Sequence, residues 1–275
     1  MQKEGIDYFE TCAPVVMWST VCIVMVLVAK LDLVSVQCDI TAAFIHGKVP
    51  VTEEIYVHQP RGFNRGRGDE VLRLKRTLYG LKQSPRYFFE YLSERLIKLG
   101  LSPSRYDPCL FMNDKLIVII YVDDILIYGR KGRESQIDDL IDELKREEVA
   151  LHKEGTAEGY LGVDIKRDGN QVTLHQRGLT QRVIEALGLD SKTSMPCNTP
   201  AKTAALGKDV DGDNASGHVN YPSVIGMLLY LEHSRPDISF ATHQCARYTH
   251  LPKMSHKNAL LKELEGISKV LWIRG

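Results

Sequence analysis

The chain has 275 residues, of which 44% are hydrophobic and 25% are charged. These proportions are typical of a globular protein, and they exclude a disordered or collagen-like chain. Lysine and arginine together number 35, and so do aspartate and glutamate, which gives a net charge of zero. Any basic surface must therefore be a local patch, and the net charge neither favours nor excludes a nucleic-acid partner.

The cysteines and the apolar segments indicate an intracellular protein. The six cysteines lie far apart, with no CxxC pair and no histidine at zinc-ligand spacing near them. The most apolar stretch, Val21 to Ala29, is shorter than the roughly 18 residues of a membrane-spanning helix. We expect a buried helix there and no membrane partner. The amino terminus shows no signal peptide, so nothing in the sequence predicts export.

The first predicted elements are a helix from Pro14 to Lys30 and a strand after it. Val34, Val36 and Cys38 alternate with polar residues, which is typical of a half-buried strand. Asp39 follows directly, so its carboxylate is predicted to lie at the tip of this strand.

A second helix is predicted to begin with Ser84 as its N-cap and Pro85 at its first helical position, and to end at Gly100. Its apolar residues share one face: Phe88, Leu92, Leu96 and Leu99. The pattern therefore predicts an amphipathic helix that packs on a core.

A buried hairpin is predicted in the middle of the chain. The apolar run from Leu116 to Val122 ends at Asp123 and Asp124, and apolar residues resume from Ile125 to Tyr128. The strands are therefore predicted to turn at two adjacent acids.

Shorter elements are predicted in the remaining sequence. Ser135 is the expected cap of a charged amphipathic helix, and Asp168–Asn170 is the expected turn of another hairpin. A short helix is expected from Thr180, as its cap, to Gly188. The polar stretch Thr199–Asn220 is predicted to be a linker to a mostly helical final part.

The two acids in the hairpin are the first candidates for chemistry. A buried ionised carboxylate needs a cation or must take up a proton. Asp39, at the end of another strand, supplies a third carboxylate, so Asp39, Asp123 and Asp124 are predicted to gather divalent metal ions at one sheet edge. The alternative is an acidic turn that simply protrudes into water.

The segment Tyr121-Val122-Asp123-Asp124 is similar to the signature of reverse transcriptases. Further segments resemble, in order and spacing, the polymerase of copia-type retrotransposons: Asp39–Phe44, Glu54–Phe63, Leu78–Arg86, Tyr160–Val163 and Tyr221–Asp237. The resemblance extends over most of the chain.

This resemblance implies an α+β fold, namely a right-hand polymerase palm with partial fingers followed by a thumb- or connection-like region. The predicted domains are residues 1–198 for fingers, palm and the start of the thumb, 199–220 for a flexible linker, and 221–275 for the connection.

The resemblance also implies an RNA-directed DNA polymerase of the cytoplasm, in a retroelement particle with access to the nucleus. Its expected partners are a primed RNA or DNA template, deoxynucleoside triphosphates and other parts of a Pol polyprotein.

The resemblance implies that Asp39, Asp123 and Asp124 bind two magnesium or manganese ions. Two metal ions suit the transfer of a nucleotide to a primer 3′-hydroxyl, because they neutralise both the attacking and the leaving oxygen. In this comparison Asp39 and Asp123 bridge the metals, whereas Asp124 assists or orients.

The same resemblance implies a set of nucleotide contacts. Phe44 matches the aromatic residue that excludes a ribonucleotide 2′-hydroxyl, although Phe44 alone would be interpreted as a core residue. The expected contacts with the incoming nucleotide are Ile40, Ala43, Phe44, Tyr79, Gly80 and Lys82. Without the resemblance, the segment from Tyr79 to Lys82 is an ordinary turn before a helix.

Nucleic-acid contacts are expected in two places. A basic patch with interleaved aromatic residues suits a template backbone, and it comprises Arg73, Lys75, Arg76, Lys82 and Arg86. Its alternative is a solvated basic face. Leu161 and Gly162 fall where the family grips the primer, although a short strand with Leu161 and Val163 buried has the same letters.

Several positions depart from the family pattern. Met17 and Cys22 stand where basic residues are common, which weakens the expected binding of triphosphate or template. No further fingers sequence precedes Gly5, and Leu261–Gly266 is more acidic than the family's basic helix. We therefore expect a truncated fragment without ribonuclease H.

Three hypotheses follow. The first is an RNA-directed DNA polymerase, indicated by the three acids, Phe44 and the basic loop. The second is an inactive remnant that folds and binds nucleic acid, indicated by Met17 and Cys22. The third is an interaction protein with a solvent-facing acidic turn, which leaves the ordered set of motifs unexplained.

Overall fold

The computed structural model describes residues 2–60, 62–63, 70–169, 171–188, 205–217 and 219–261. It divides the chain into two compact units, Met1–Ala157 with Arg167–Val172 and Glu158–Lys166 with Thr173–Gly275. Helices and antiparallel sheets occur together, which confirms the predicted mixture of α and β structure. No helix among the described residues is both long and apolar enough to span a membrane.

The first unit contains three helices around a six-stranded antiparallel sheet. Its elements are α1 (Trp18–Leu31), β1 (Leu33–Ile40), β2 (Tyr56–His58), β3 (Val71–Arg73), α2 (Ser84–Lys98), β4 (Ser102–Pro103), β5 (Leu110–Met112), β6 (Leu116–Tyr121), β7 (Asp124–Arg130), α3 (Ser135–Arg146) and β8 (Leu151–Gly155). The sheet has the order β4-β5-β6-β7-β1-β8, and β2 and β3 form a separate hairpin.

The centre of the sheet is apolar on both faces. Side chains from α2 and α3 pack on one face, against residues such as Val118 and Ile127, while Ile119 and Leu126 are also fully buried. A strand buried on both faces is apolar throughout and does not alternate. This explains the continuous apolar runs beside the two acids and confirms the predicted hairpin, which β6 and β7 form. The turn lies one residue earlier than predicted, because Tyr121 pairs with Asp124 and leaves Val122 and Asp123 between the strands.

Helix α1 differs from its prediction in two ways. It begins at Trp18 because Met17 has an extended backbone and its N–H donates to the Asp107 carboxylate at 3.0 Å. Only one face is buried, since Ile23 is 62% and Val26 is 57% exposed. The predicted buried helix is therefore present, but it is buried on one face only.

The predicted helix caps lie too far along the chain. Helix α2 begins at Ser84 after Gln83, and the Ser84 hydroxyl donates to the Leu78 carbonyl at 2.7 Å. Helix α3 begins at Ser135, so its cap is Glu134. Neither helix has a side-chain cap hydrogen bond, so the prediction of Ser84 and Ser135 as N-caps is wrong by one residue in each helix.

The second unit consists of a small sheet and a helical core. Its elements are β9 (Gly159–Tyr160), β10 (Val163–Asp168), β11 (Gln171–His175), α4 (Arg177–Leu187), α5 (Tyr221–Leu231) and α6 (Ser239–Ala246), followed by a helical stretch over 254–261. The strand order is β11-β10-β9, and the outer end of the β10–β11 hairpin belongs to the first unit. Helix α4 starts earlier than its predicted cap, Thr180.

The domain boundaries at 198 and 220 stay a prediction, and helix α4 belongs to the second compact unit. Helix α4 shares a core with α5, through residues such as Val183 and Leu228, so both belong to the second unit. Part of the predicted linker, 199–204 and 218, lies outside the described residues. Within the rest, the Leu206 carbonyl accepts a hydrogen bond from the Tyr248 hydroxyl at 2.6 Å, and the Gly207 carbonyl lies 2.8 Å from His256 Nε2.

Removing a core side chain of α2 tests this packing. We expect Leu92→Ala to lower the free energy of unfolding by about 3 kcal/mol, because Leu92 is fully buried and its loss leaves a cavity. Urea denaturation measures this change. Ile97→Ala, on the exposed face of the same helix, should cost less than about 1 kcal/mol, and an equal loss in both variants would contradict the described packing.

Candidate active site

Asp39 and Asp124 face each other across two neighbouring strands. Asp39 is the penultimate residue of β1, Asp124 is the first residue of β7, and they are register partners. Directly opposed residues of an antiparallel pair carry their side chains on the same face of the sheet. The two half-buried carboxylates therefore share one face at one end of the strands.

Asp123 lies in the two-residue turn that joins β6 to β7. Its neighbour Val122 has a φ of +54°, a left-handed conformation that is strained for a β-branched residue. The Asp123 carbonyl accepts a hydrogen bond from the Ile40 N–H at 3.0 Å, which ties the turn to the end of β1. The strained turn thus brings the third acid next to the other two.

Burial and the neighbouring acids make Asp124 harder to ionise. The pKa of Asp124 is raised, first by burial and then by the negative charges of Asp123, Glu154 and Asp39. A hydrogen bond from Gln37 acts in the opposite direction and lowers this pKa. A cation at this end of the sheet would offset the repulsion among these carboxylates.

The donor chemistry fits a hard divalent cation, because magnesium and manganese prefer carboxylate oxygens. Among the described residues, however, no three or more histidine, cysteine, aspartate or glutamate side chains are grouped so that they could hold one metal ion. The strand register places Asp39 and Asp124 directly opposite each other.

Strand β8 brings further polar residues to this end, and the sequence analysis missed them. His152 is the register partner of Asp39 on the other side of β1. The register shifts between Gln37 and Cys38, so that Glu154 becomes the extra residue of a bulge. The mostly polar residues of β8 do not alternate with apolar residues, so the sequence pattern does not predict a strand there. Its pairing with β1 joins residues far apart in the chain, which the pattern also cannot predict.

Phe44 follows β1 in a short helical turn, Ala43–His46. Its ring centroid lies 4.8 Å from that of Tyr79, and its carbonyl accepts a hydrogen bond from the Thr77 hydroxyl. Ala43 and Ile40 are buried, so their side chains belong to the core. Phe44 is therefore held beside the segment that carries Tyr79.

The segment with Tyr79, Gly80 and Lys82 is accessible. Tyr79 is 59% exposed, and Gly80 has a φ of +96° with open space where a Cβ would lie. The Lys82 N–H donates to the Gln2 side chain at 2.9 Å, and the Gln83 side chain donates to the Asp7 carbonyl at 3.1 Å. The amino-terminal segment is thus bound to this turn.

The predicted basic patch is partly neutralised within the chain. Arg73 forms an ion pair with Glu54 at 3.1 Å, and Arg86 pairs with both Glu10 and Glu90. The three lysine and arginine residues that complete the patch are exposed, namely Lys75, Arg76 and Lys82.

Leu161 and Gly162 form the turn between β9 and β10, in the second unit. Both residues are left-handed, with φ values of +53° and +67°. The Tyr230 hydroxyl donates a hydrogen bond to the Leu161 carbonyl. The structure thus makes this segment a defined turn, whereas the three acids belong to the first unit.

Residues 1–203 match the protein family described as reverse transcriptase (RNA-dependent DNA polymerase). Similar curated proteins include the retrovirus-related Pol polyprotein from transposon RE2 of Arabidopsis thaliana, 32% identical over 269 residues. The corresponding polyprotein from transposon TNT 1-94 of Nicotiana tabacum is 33% identical over 287 residues.

Each of these two alignments covers 96% of this chain, but only 18% of the RE2 polyprotein and 21% of the TNT 1-94 polyprotein. The chain therefore spans about a fifth of the length of these relatives. A putative transposon Ty5-1 protein of Saccharomyces cerevisiae is 26% identical over 228 residues, which are 79% of this chain and 71% of that protein.

The raised pKa of Asp124 predicts that its charge destabilises the metal-free protein. We expect Asp124→Asn to raise the melting temperature at pH 7, because ionised Asp124 is less favourable in the folded chain than in the unfolded chain. The gain should shrink as the pH falls and vanish below the unfolded pKa of about 3.9, where both states are protonated.

Thermal denaturation with a chelator, at pH 7 and at pH 3, measures this effect. Asp114→Asn, in an exposed loop, is the matched control and should leave the melting temperature unchanged. A lower melting temperature for Asp124→Asn at pH 7 would contradict the electrostatic interpretation.

Proposed function

The chain belongs to the reverse transcriptase (RNA-dependent DNA polymerase) family of copia-type retrotransposons, and from this membership we propose that it extends a primer on an RNA or DNA template with deoxynucleotides. The observation that carries the proposal is the register of β1 and β7, in which Asp39 faces Asp124 and Asp123 lies in the adjoining turn. Carboxylates gathered at one sheet end supply the anionic ligands for the two metal ions that nucleotidyl transfer would use.

In this proposal Asp39, Asp123 and Asp124 hold two magnesium or manganese ions. When bound, such ions neutralise the charge that develops on the attacking and leaving oxygens. The chain supplies the anionic ligands and holds them on a rigid, buried sheet. Asp123, from the strained turn, and Asp39, from the strand, would hold the ions, and Asp124 would orient the set.

The proposed nucleotide site lies where the Phe44 ring meets Tyr79. Packing against Tyr79 and the hydrogen bond from Thr77 restrict the Phe44 ring, which would occupy the space of a 2′-hydroxyl. Gly80 lets the backbone approach the nucleotide, and the Lys82 ammonium is exposed to pair with phosphate. Ile40 and Ala43 are buried, so they contribute through the backbone.

We assign the six-stranded sheet with α2 and α3 to the palm, the β2–β3 hairpin to the fingers, and the second unit to the thumb and connection. Arg73, Lys75, Arg76 and Arg86 are the proposed contacts with the template backbone. Leu161 and Gly162 are the proposed contacts with the primer. Other parts of a Pol polyprotein are the proposed protein partners, as in the relatives' names.

A second candidate is a folded remnant that binds nucleic acid without synthesis. Two positions favour it, since Met17 is 44% exposed where the family carries a cation, and burial raises the pKa of the Cys22 thiol. Neither side chain supplies positive charge. The two candidates share the acidic site and differ only in catalysis.

Primer extension tests the proposed function. The purified chain should extend a DNA primer on an RNA template with deoxynucleotides and magnesium or manganese. Asp39→Asn and Asp123→Asn should each reduce the rate on the order of a thousandfold, because each removes a metal ligand.

Asp114→Asn serves as the control and should retain activity. Absence of extension by the folded wild-type chain would instead support the remnant. Equal activity of Asp123→Asn and wild type would contradict the acidic site.

Discrimination between sugars tests Phe44. Phe44→Ala should lower the ratio of kcat/KM for deoxynucleotides over ribonucleotides by about tenfold or more, because the ring no longer excludes the 2′-hydroxyl. Phe89→Ala, which removes another partly buried ring from the same core, is the matched control. An unchanged ratio in Phe44→Ala would refute this role.

A further inference from the structure

The turn between β9 and β10 has an unfavourable backbone. Leu161 has a φ of +53° and Gly162 a φ of +67°, while Tyr160 and Val163 pair on either side. Two consecutive left-handed residues form the tight turn of a two-residue hairpin, which favours Asn-Gly over a leucine at the first position. The sequence Leu-Gly therefore needs support from outside the hairpin.

Tyr230, on the last turn of α5, contacts this turn directly. Its hydroxyl donates a hydrogen bond to the Leu161 carbonyl. A Cβ on Gly162 would lie 3.5 Å from the same hydroxyl oxygen, so the hydroxyl is close to both left-handed residues. The Tyr230 ring in turn packs against the His233 ring, with centroids 5.2 Å apart.

Tyr230 does not belong to the core of its own helix. The buried face of α5 carries Tyr221, Val224, Ile225, Leu228 and Leu231, whereas Tyr230 is 40% exposed. The two tyrosine hydroxyls of this helix therefore bind different parts of the second unit. Tyr221 is buried and its hydroxyl donates to the Cys245 carbonyl at 2.9 Å, which joins α5 to α6. The Tyr230 hydroxyl is directed at the turn instead.

We infer that Tyr230 is a positioning residue, whose hydroxyl holds the Leu161–Gly162 turn in the conformation that contacts the primer strand. The inference rests on the proposed function, in which this turn binds the primer. It gives a role to Tyr230, to which the resemblance of the segment Tyr221–Asp237 assigned none and which lies 69 positions along the chain from Leu161. Without the hydroxyl, the turn loses the contact that favours its left-handed backbone.

The test compares Tyr230→Phe with Tyr221→Phe in the full 275-residue chain. Each variant removes one hydroxyl from α5 and retains the ring. Fluorescence anisotropy measures binding of a labelled DNA primer annealed to an RNA template, and of the same template without primer. Thermal denaturation and the deoxynucleotide KM are measured in parallel.

We expect Tyr230→Phe to raise the Kd for the primed template about three- to tenfold, the range expected for one lost hydrogen bond. Binding to the unprimed template and the deoxynucleotide KM should not change. Tyr221→Phe should lower the melting temperature and leave primer binding intact. Unchanged primer binding in Tyr230→Phe, or an equal loss with the unprimed template, would overturn the inference.

A measurement without nucleic acid separates this inference from the proposed function. Hydrogen exchange of the amides of residues 161–163 should be faster in Tyr230→Phe than in the wild type, and unchanged in Tyr221→Phe. Failure of the wild type to bind a primed template, together with this exchange result, would refute the primer role and leave the support of the turn intact. Unchanged exchange in Tyr230→Phe would refute that support itself.

Discussion

The placement of three carboxylates at the end of an apolar sheet is the main electrostatic constraint on the first unit, because their negative charges repel one another. Antiparallel pairing of β1 with β7 makes Asp39 and Asp124 direct partners, and the β6–β7 turn adds Asp123. Apolar strands behind them hold these residues in place at the cost of raising the pKa of Asp124. Burial elsewhere in the sheet offsets this cost, so the folded chain retains a site that favours positive charge.

The surrounding elements support this end of the sheet from several directions. The Ile40 N–H donates to the Asp123 carbonyl, and the Thr41 N–H donates to the Ala150 carbonyl at 2.9 Å. These two bonds connect the end of β1 to the residues that precede β7 and β8. Fully buried Thr77 donates its hydroxyl to the Phe44 carbonyl. The position of the Phe44 ring is therefore coupled to the segment that precedes α2.

The sequence predicts the elements whose signals are local. Continuous apolar runs predict β6 and β7 because both faces are buried, and alternation predicts β1. The caps of α2 and α3 are missed because no side chain bonds to the helix end. The position of His152 on β8 and the contact of Tyr230 with Leu161 depend on residues far apart in the chain, which spacing does not encode. The exposed face of α1 is also missed, because apolar residues occur on all sides of this helix.

The ion pairs of the basic patch change how the proposed complex responds to salt. Binding to a phosphate backbone releases counterions, and each neutralised phosphate adds about 0.7 to 0.9 to the slope of log affinity against log salt. Arg73 already pairs with Glu54, and Arg86 already pairs with Glu10 and Glu90. Template binding by this patch would therefore release fewer counterions than its five cations suggest. The affinity for a template would fall less steeply as ionic strength rises.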